Sequence, residues 1–117
     1  MQEKRREKGM EGTELKNVIS GGESENVEFK ENFGDDAIIS LVSFANAKGG
    51  KVVVGVNRKK EVVGASVSGE SVQGWINEVK AKTFRELSPS AELHTIDGKH
   101  VVILSVLEHP MKPVSFR

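Results

Sequence analysis

Cysteine and tyrosine are absent from this sequence of 117 residues, and there is one tryptophan. Without cysteine the chain has no disulfide, no thiol nucleophile and no cysteine-based zinc site. Aromatic residues make up 5% of the sequence, which leaves little material for a platform on which the bases of a single strand could stack. Basic and acidic residues number 17 each, so any site for a polyanion has to be a local patch.

Long apolar runs are also absent. No segment approaches the ~20 apolar residues of a membrane span, and the N-terminus has no signal-peptide hydrophobic region. We therefore expect a cytoplasmic protein that makes no membrane contact. Residues 1–12 are almost wholly charged or polar, which predicts a disordered lead-in. Residues 13–117 have the length of one typical domain, and we expect them to form one.

The first of two main helices is predicted after the acidic pair Asp35-Asp36. These carboxylates can cap the helix and lie at the positive end of its dipole. Gly49-Gly50 then supplies the positive φ that ends the helix and reverses the chain. The apolar stripe is wide enough to predict a buried helix. Its members are Ile38, Ile39, Leu41, Val42, Phe44 and Ala45.

Two further segments have helical spacing. A short helix begins at Thr13 and is stopped by Gly21-Gly22. The second main helix begins at Ser68 or Ser71 and is ended by Pro89. The apolar positions of the short helix are Leu15, Val18 and Ile19, and those of the second main helix are Val72, Trp75, Ile76, Val79 and Leu87.

The remaining apolar segments predict strands over residues 26–30, 51–56, 61–65, 91–96, 100–107 and 114–116. The run of valines from Val52 to Val56 is typical of a central strand covered on both faces. We expect this strand to form a hairpin with residues 61–65, and Asp97-Gly98 to link the next two strands as a second hairpin. The predicted fold is α/β (α+β), with a mixed, mainly hairpin-built sheet of about five or six strands and two main helices.

Three motifs occur in order: Glu23-Ser-Glu-Asn-Val-Glu-Phe-Lys30, Phe44-Ala-Asn-Ala-Lys-Gly-Gly50 and Val52-Val-Val-Gly-Val56. Together they resemble the Schlafen AlbA-type domain, also called the divergent AAA domain, over about Thr13 to Arg117. The resemblance implies a Schlafen AlbA-like fold and a DNA-binding domain of the kind found in transcriptional regulators and helicase-related proteins. It also implies that this chain is the N-terminal part of a longer protein.

Basic residues form two candidate nucleic-acid contacts. Arg58, Lys59 and Lys60 crowd the tip of the first predicted hairpin, and Lys80, Lys82 and Arg85 recur along the second main helix. A protruding basic hairpin can lie along a phosphate backbone, with an affinity that falls as salt rises. The alternative is an exposed turn that is polar because water surrounds it. Phe29, Phe44 and Phe84 are expected in the core, where no base could reach them.

The carboxylates suggest a second kind of chemistry. Schlafen endonucleases use two glutamates five residues apart in the first motif, which match Glu23 and Glu28, and these would hold Mg²⁺ or Mn²⁺ as both metal ligands and catalytic groups. The third acid of those enzymes falls at Asn57-Arg58 here, so the sequence favours a domain without enzymatic activity. Asp35 or Glu61 could substitute if the fold brings it close. The alternative is a surface pair of Glu28 and Lys30, with Val27 and Phe29 facing the core.

The Asn46 to Gly50 turn lacks the P-loop pattern and lies at a helix C-terminus, where the dipole disfavours anions. We predict a structural cap there. The favoured function is therefore a nucleic-acid-binding domain of a transcriptional regulator, contacting mainly backbone phosphates, with DNA preferred over RNA as partner and no cofactor. The alternatives are a Schlafen-type endoribonuclease and a protein-interaction or dimerisation domain. Homo-oligomerisation stays open.

Overall fold

The computed structural model describes residues 12–67 and 69–117. The predicted lead-in lies outside this range except for Gly12, and so does Ser68, one of the two candidate caps. The helices are α1 (Gly12–Gly21), α2 (Asp35–Ala45) and α3 (Gly69–Ala81). The strands are β1 (Val27–Lys30), β2 (Gly50–Val54), β3 (Thr83–Phe84), β4 (Ser90–Ile96), β5 (Lys99–Val106) and β6 (Ser115–Phe116).

A four-stranded sheet has the order β1-β2-β5-β4, and a separate two-stranded ribbon joins β3 to β6. β1 pairs parallel with β2 through the crossover helix α2, whereas the β2–β5 and β5–β4 pairs are antiparallel. The predicted mixed sheet of an α+β fold is confirmed. None of the described helices combines the length and the apolar character that crossing a membrane requires.

The β2 strand lies at the centre, and its valines are inaccessible on both faces of the sheet. Val52 and Val54 point to the face covered by α2 and α3, and Val53 points to the face covered by α1. This alternation follows from the two-residue period of a strand. The helices complete the two cores with Ile38, Leu41 and Phe44 of α2, Val79 of α3, and Leu15 and Ile19 of α1.

The turn that joins α2 to β2 confirms the predicted glycine ending. Gly49 has φ +90° and donates its N–H to the carbonyl of Phe44 at 2.7 Å. A methyl group on Gly50 would lie 2.6 Å from Cγ of the Phe44 ring, which is closer than packed atoms allow. Glycine at position 50 of the second motif therefore leaves the room that the Phe44 ring needs.

Asn46, at the end of α2, binds a distant part of the chain. Its Nδ2 donates to the carbonyl of Val114 at 2.9 Å, and its Oδ1 accepts the N–H of Val114 at 2.8 Å. Both backbone groups of Val114 are therefore satisfied by one side chain. This contact holds the segment before β6 against α2.

The predicted hairpin at Asp97-Gly98 is also confirmed. Asp97 has φ +51° and Gly98 has φ +79°, as a two-residue primed turn requires. Ile96 pairs with Lys99 directly across the turn.

Two predicted elements are wrong. Residues 61–65 do not form a strand beside β2, because β1 and β5 occupy both edges of β2, and only Val56 and Val62 form an isolated bridge. The second main helix ends at Ala81, before Leu87 and Pro89, because the chain turns there into β3. Leu87 is nevertheless buried in the core.

Three side chains differ from expectation. Asp35 and Asp36 lie in the first turn of α2 without capping it, because the cap residue is Gly34 and no side-chain hydrogen bond is made there. Ile39 faces outward and is 47% exposed. Phe84 is 55% exposed because Thr83, its neighbour in β3, takes the inward position.

Candidate nucleic-acid interface

The first motif folds back on the outer edge of β1. The carboxylate of Glu23 accepts the N–H of Phe29 at 3.0 Å, and Ser24 forms a bridge with Val27. Hydroxyl Oγ of Ser24 donates to the side-chain carbonyl of Asn26 at 2.8 Å, which fixes the turn between them. The motif therefore closes the free edge of the sheet at β1.

This fold brings Glu23 and Glu28 together. Burial raises the pKa of the Glu28 carboxyl, and the charge of Glu23 raises it further, whereas Lys30 and Arg58 oppose the rise. Glu28 and Lys30 form an ion pair at 3.8 Å, as the alternative prediction expected, while Phe29 is buried on the other face. Glu23, Glu28 and Lys30 therefore form one cluster of charged side chains.

The loop after β2 is built around Asn57. Its side-chain oxygen accepts the N–H groups of Lys59 and Glu61, and its amide nitrogen donates to the Glu61 carboxylate at 2.8 Å. Asparagine forms such turns because its short side chain reaches the backbone two residues on. In this loop Asn57 is occupied by structural hydrogen bonds, and Glu61 is bound to it.

Lys60 has a structural contact that the sequence did not indicate. It adopts φ +68°, and its ammonium group donates to the carbonyl of Ser20 at 3.0 Å, at the C-terminal end of α1. A cation at this end of a helix satisfies a free carbonyl and interacts favourably with the dipole. Lys60 is exposed like Arg58 and Lys59, but its ammonium group is held at α1.

An open cleft of about 500 Å³ lies between this loop and the end of β1. Its charged lining consists of Lys30, Glu31, Arg58, Lys59 and Glu61. No described residue forms an ion pair with Arg58 or Lys59. The sequence pattern predicted a pair between Lys30 and Glu28 and did not indicate Lys30 as a binding group. Only the parallel pairing of β1 with β2 brings Lys30 to the loop.

The second predicted group of cations is dispersed. Lys80 is the one that lies within α3, while Lys82 and Arg85 follow the helix. Lys82 hydrogen-bonds Asp35 at 2.8 Å and Glu78 at 2.9 Å, and these bonds raise the pKa of its ammonium group. Arg85 donates to the carbonyl of Pro113 and lies over the Phe84 ring, 5.3 Å from its centre.

Within the described residues, no three histidine, aspartate or glutamate side chains form a group that could hold a metal ion. Asp35 is engaged by Lys82, and Glu61 by Asn57. Neither is added to Glu23 and Glu28 as a third ligand.

A sequence profile of the family described as Schlafen, AlbA_2 matches residues 23–117. No curated protein matches the chain. The N-terminal domain of a RecG-related protein from Nitrosomonas europaea, whose name relates it to ATP-dependent DNA helicases, superposes with a TM-score of 0.70 at 20% identity, over 87% of this chain and 79% of that one.

The DIP2311 protein from Corynebacterium diphtheriae is similar in the same way, with a TM-score of 0.70 at 14% identity. The match covers 89% of this chain but only 23% of that protein. At these identities the two structures establish a shared fold.

Proposed function

Since the chain belongs to the Schlafen, AlbA_2 family, we propose that it is a DNA-binding domain that holds backbone phosphates in the cleft between β1 and the loop after β2. The family and its helicase-related structural relative support a role connected with nucleic acids. DNA is preferred over RNA because the relative's name refers to a DNA helicase. The same binding would serve a transcriptional regulator.

The observation that carries the proposal is the convergence of Lys30, Arg58 and Lys59 on one open cleft. Phosphate contacts need cations that water and ligand can both reach, and Arg58 and Lys59 are exposed. Glu31 and Glu61 lie in the same lining, so the net field is modest. We therefore propose low affinity at physiological salt and little base preference.

The test is fluorescence anisotropy with a short duplex at several salt concentrations. Replacing Arg58 and Lys59 together by alanine should weaken binding and reduce the slope of log K against log salt by up to about two phosphate contacts. The matched control replaces Lys48 and Lys112, two exposed lysines outside the cleft, and should leave that slope close to the parent's. Equal slopes for both double variants would reject the cleft as the interface.

A second function is supported by the proximity of Glu23 and Glu28. Two carboxylates close enough for the charge of Glu23 to raise the pKa of Glu28 can jointly attract a divalent cation, which would lower the pKa of Glu28 again. These residues would supply the metal ligands of a Schlafen-type endoribonuclease. The test is incubation of the protein with structured RNA and Mg²⁺ or Mn²⁺. Cleavage that is lost in Glu28→Gln would establish the nuclease function. An absence of cleavage would reject it and leave nucleic-acid binding as the proposed function.

A further inference from the structure

The two edge strands of the four-stranded sheet, β1 and β4, differ in what binds their outward backbone groups. At β1, the Glu23 carboxylate and the Ser24 backbone occupy the outward groups of the strand. At β4, no strand among residues 12–67 and 69–117 pairs with the outer edge. β4 is seven residues long, is in unbroken register with β5, and contains neither lysine nor proline. β4 therefore lacks the lysine and proline that commonly block edge pairing, and its one acid, Glu92, lies 3.4 Å from Nε2 of His94 in the same strand.

The hairpin geometry determines which backbone groups are free. Ile96 and Lys99 flank a two-residue turn, so they form a hydrogen-bonded pair, and such pairs alternate along an antiparallel ladder. Glu92 and His94 therefore direct their N–H and C=O groups toward β5. The outward groups belong to Ala91, Leu93 and Thr95.

The side chains of β4 are complementary to a second copy of the same strand. Antiparallel pairing about Leu93 places Glu92 of one copy opposite His94 of the other, twice by symmetry. These are non-hydrogen-bonded positions, where opposing side chains approach most closely. Leu93, which is 42% exposed, would meet its own counterpart.

We propose that this chain forms a two-fold symmetric dimer by pairing β4 with β4 of a second copy. The outward groups of Ala91, Leu93 and Thr95 then exchange hydrogen bonds with the partner, and one sheet runs through both copies. The cleft at β1 lies at the opposite edge of each sheet, so both clefts stay open. Dimerisation is independent of the proposed nucleic-acid binding.

Sedimentation velocity from about 1 μM to about 1 mM protein tests the proposal. Glu92→His and His94→Glu should each weaken dimerisation about tenfold, because each replaces two attractive pairs by like pairs. The double variant with both changes restores two acid–imidazole pairs and should dimerise like the parent. A parent that stays monomeric throughout, or single and double variants that dimerise equally, would overturn the proposal.

Leu93→Pro removes an outward N–H while leaving the bonds to β5 in place, and proline is tolerated at such edge positions. It should remain folded by circular dichroism and be monomeric. Hydrogen exchange on the parent gives a second readout that needs no substitution. The amide of Leu93 should gain protection as protein concentration rises, whereas that of Glu92, which donates to β5, should be protected throughout. A Leu93 amide that exchanges equally fast at all concentrations would contradict the paired edge.

Discussion

Glu23 accepts the backbone N–H of Phe29 through one oxygen of its carboxylate, at 3.0 Å. The donor lies on the outer edge of β1, where none of the strands in the described part of the chain pairs with it. An acid at this position therefore has a structural use that requires no metal. The same carboxylate also interacts with the carboxyl group of Glu28, so the bond to Phe29 leaves the two glutamates together.

Replacing Glu23 by alanine should reduce the free energy of unfolding by about 1 kcal/mol, since it leaves the Phe29 N–H without its acceptor. Glu23→Gln should be closer to the parent because its amide oxygen can still accept. Urea denaturation of the three proteins measures the difference. If alanine and glutamine have the same effect, the hydrogen bond does not stabilise the fold.

Glu28 makes the stability of the fold depend on pH. Its pKa is higher in the folded protein than in the unfolded chain, so the folded state binds the proton more tightly. The stability that this group contributes is complete below the ordinary glutamate pKa and is lost as pH rises through the raised value. Glu28→Gln should therefore be more stable than the parent at pH 7, and the two should converge under acid conditions.

Denaturant unfolding at a series of pH values tests the Glu28 prediction. Glu25→Gln is the matched control because it removes one exposed charge from the same turn. A Glu28→Gln variant that is less stable than the parent at neutral pH would mean that the pair with Lys30 outweighs burial.

Lys60 should affect the free energy of unfolding, whereas Arg58 and Lys59 should affect nucleic-acid binding. Lys60→Ala loses the contact with the Ser20 carbonyl and should cost about 0.5–1 kcal/mol. A positive φ destabilises alanine and lysine by the same amount, so it does not contribute to the difference in stability between the variant and the parent. Thermal melts of Lys60→Ala and Lys59→Ala distinguish the roles, since the exposed Lys59 should change stability by less than about 0.5 kcal/mol. Equal losses in both would contradict the contact to α1.

Asn46→Ala should destabilise the protein by about 2 kcal/mol, because both backbone groups of Val114 lose their partner. Asn46→Asp keeps the acceptor and loses the donor, and so should lie between alanine and the parent. Hydrogen exchange should show faster exchange at Val114 in Asn46→Ala, while the amide of Ile103 in the central sheet is little changed. Unaltered exchange at Val114 would show that other contacts hold this segment.

The parts of the fold that were predicted correctly depend on local sequence. The end of α2 and the turn at Asp97-Gly98 require positive φ angles, and the residue types at these positions indicate those angles directly. The strand expected over residues 61–65 is wrong because the partner of β2 is chosen over a long distance, and β5 takes the place that a local hairpin would have filled.

The candidate site was predictable in composition and not in arrangement. Arg58 and Lys59 are exposed, as cations in a turn should be, but the contact of Lys60 with Ser20 depends on how α1 packs. Likewise, Lys30 reaches the cleft because β1 and β2 are parallel neighbours. Tertiary packing, which no local pattern contains, determines both.

The placement of β5 between β2 and β4 also has a consequence during synthesis. Val53 cannot pair with Ile103 until the ribosome has made β5, so we expect β2 to emerge with one ladder unfilled and its valines accessible. Stalled nascent chains that end before β5 should therefore bind a hydrophobic dye that the folded 117-residue chain does not bind. If these truncated chains bind no more dye than the folded 117-residue chain, the segments before β5 must cover these valines on their own.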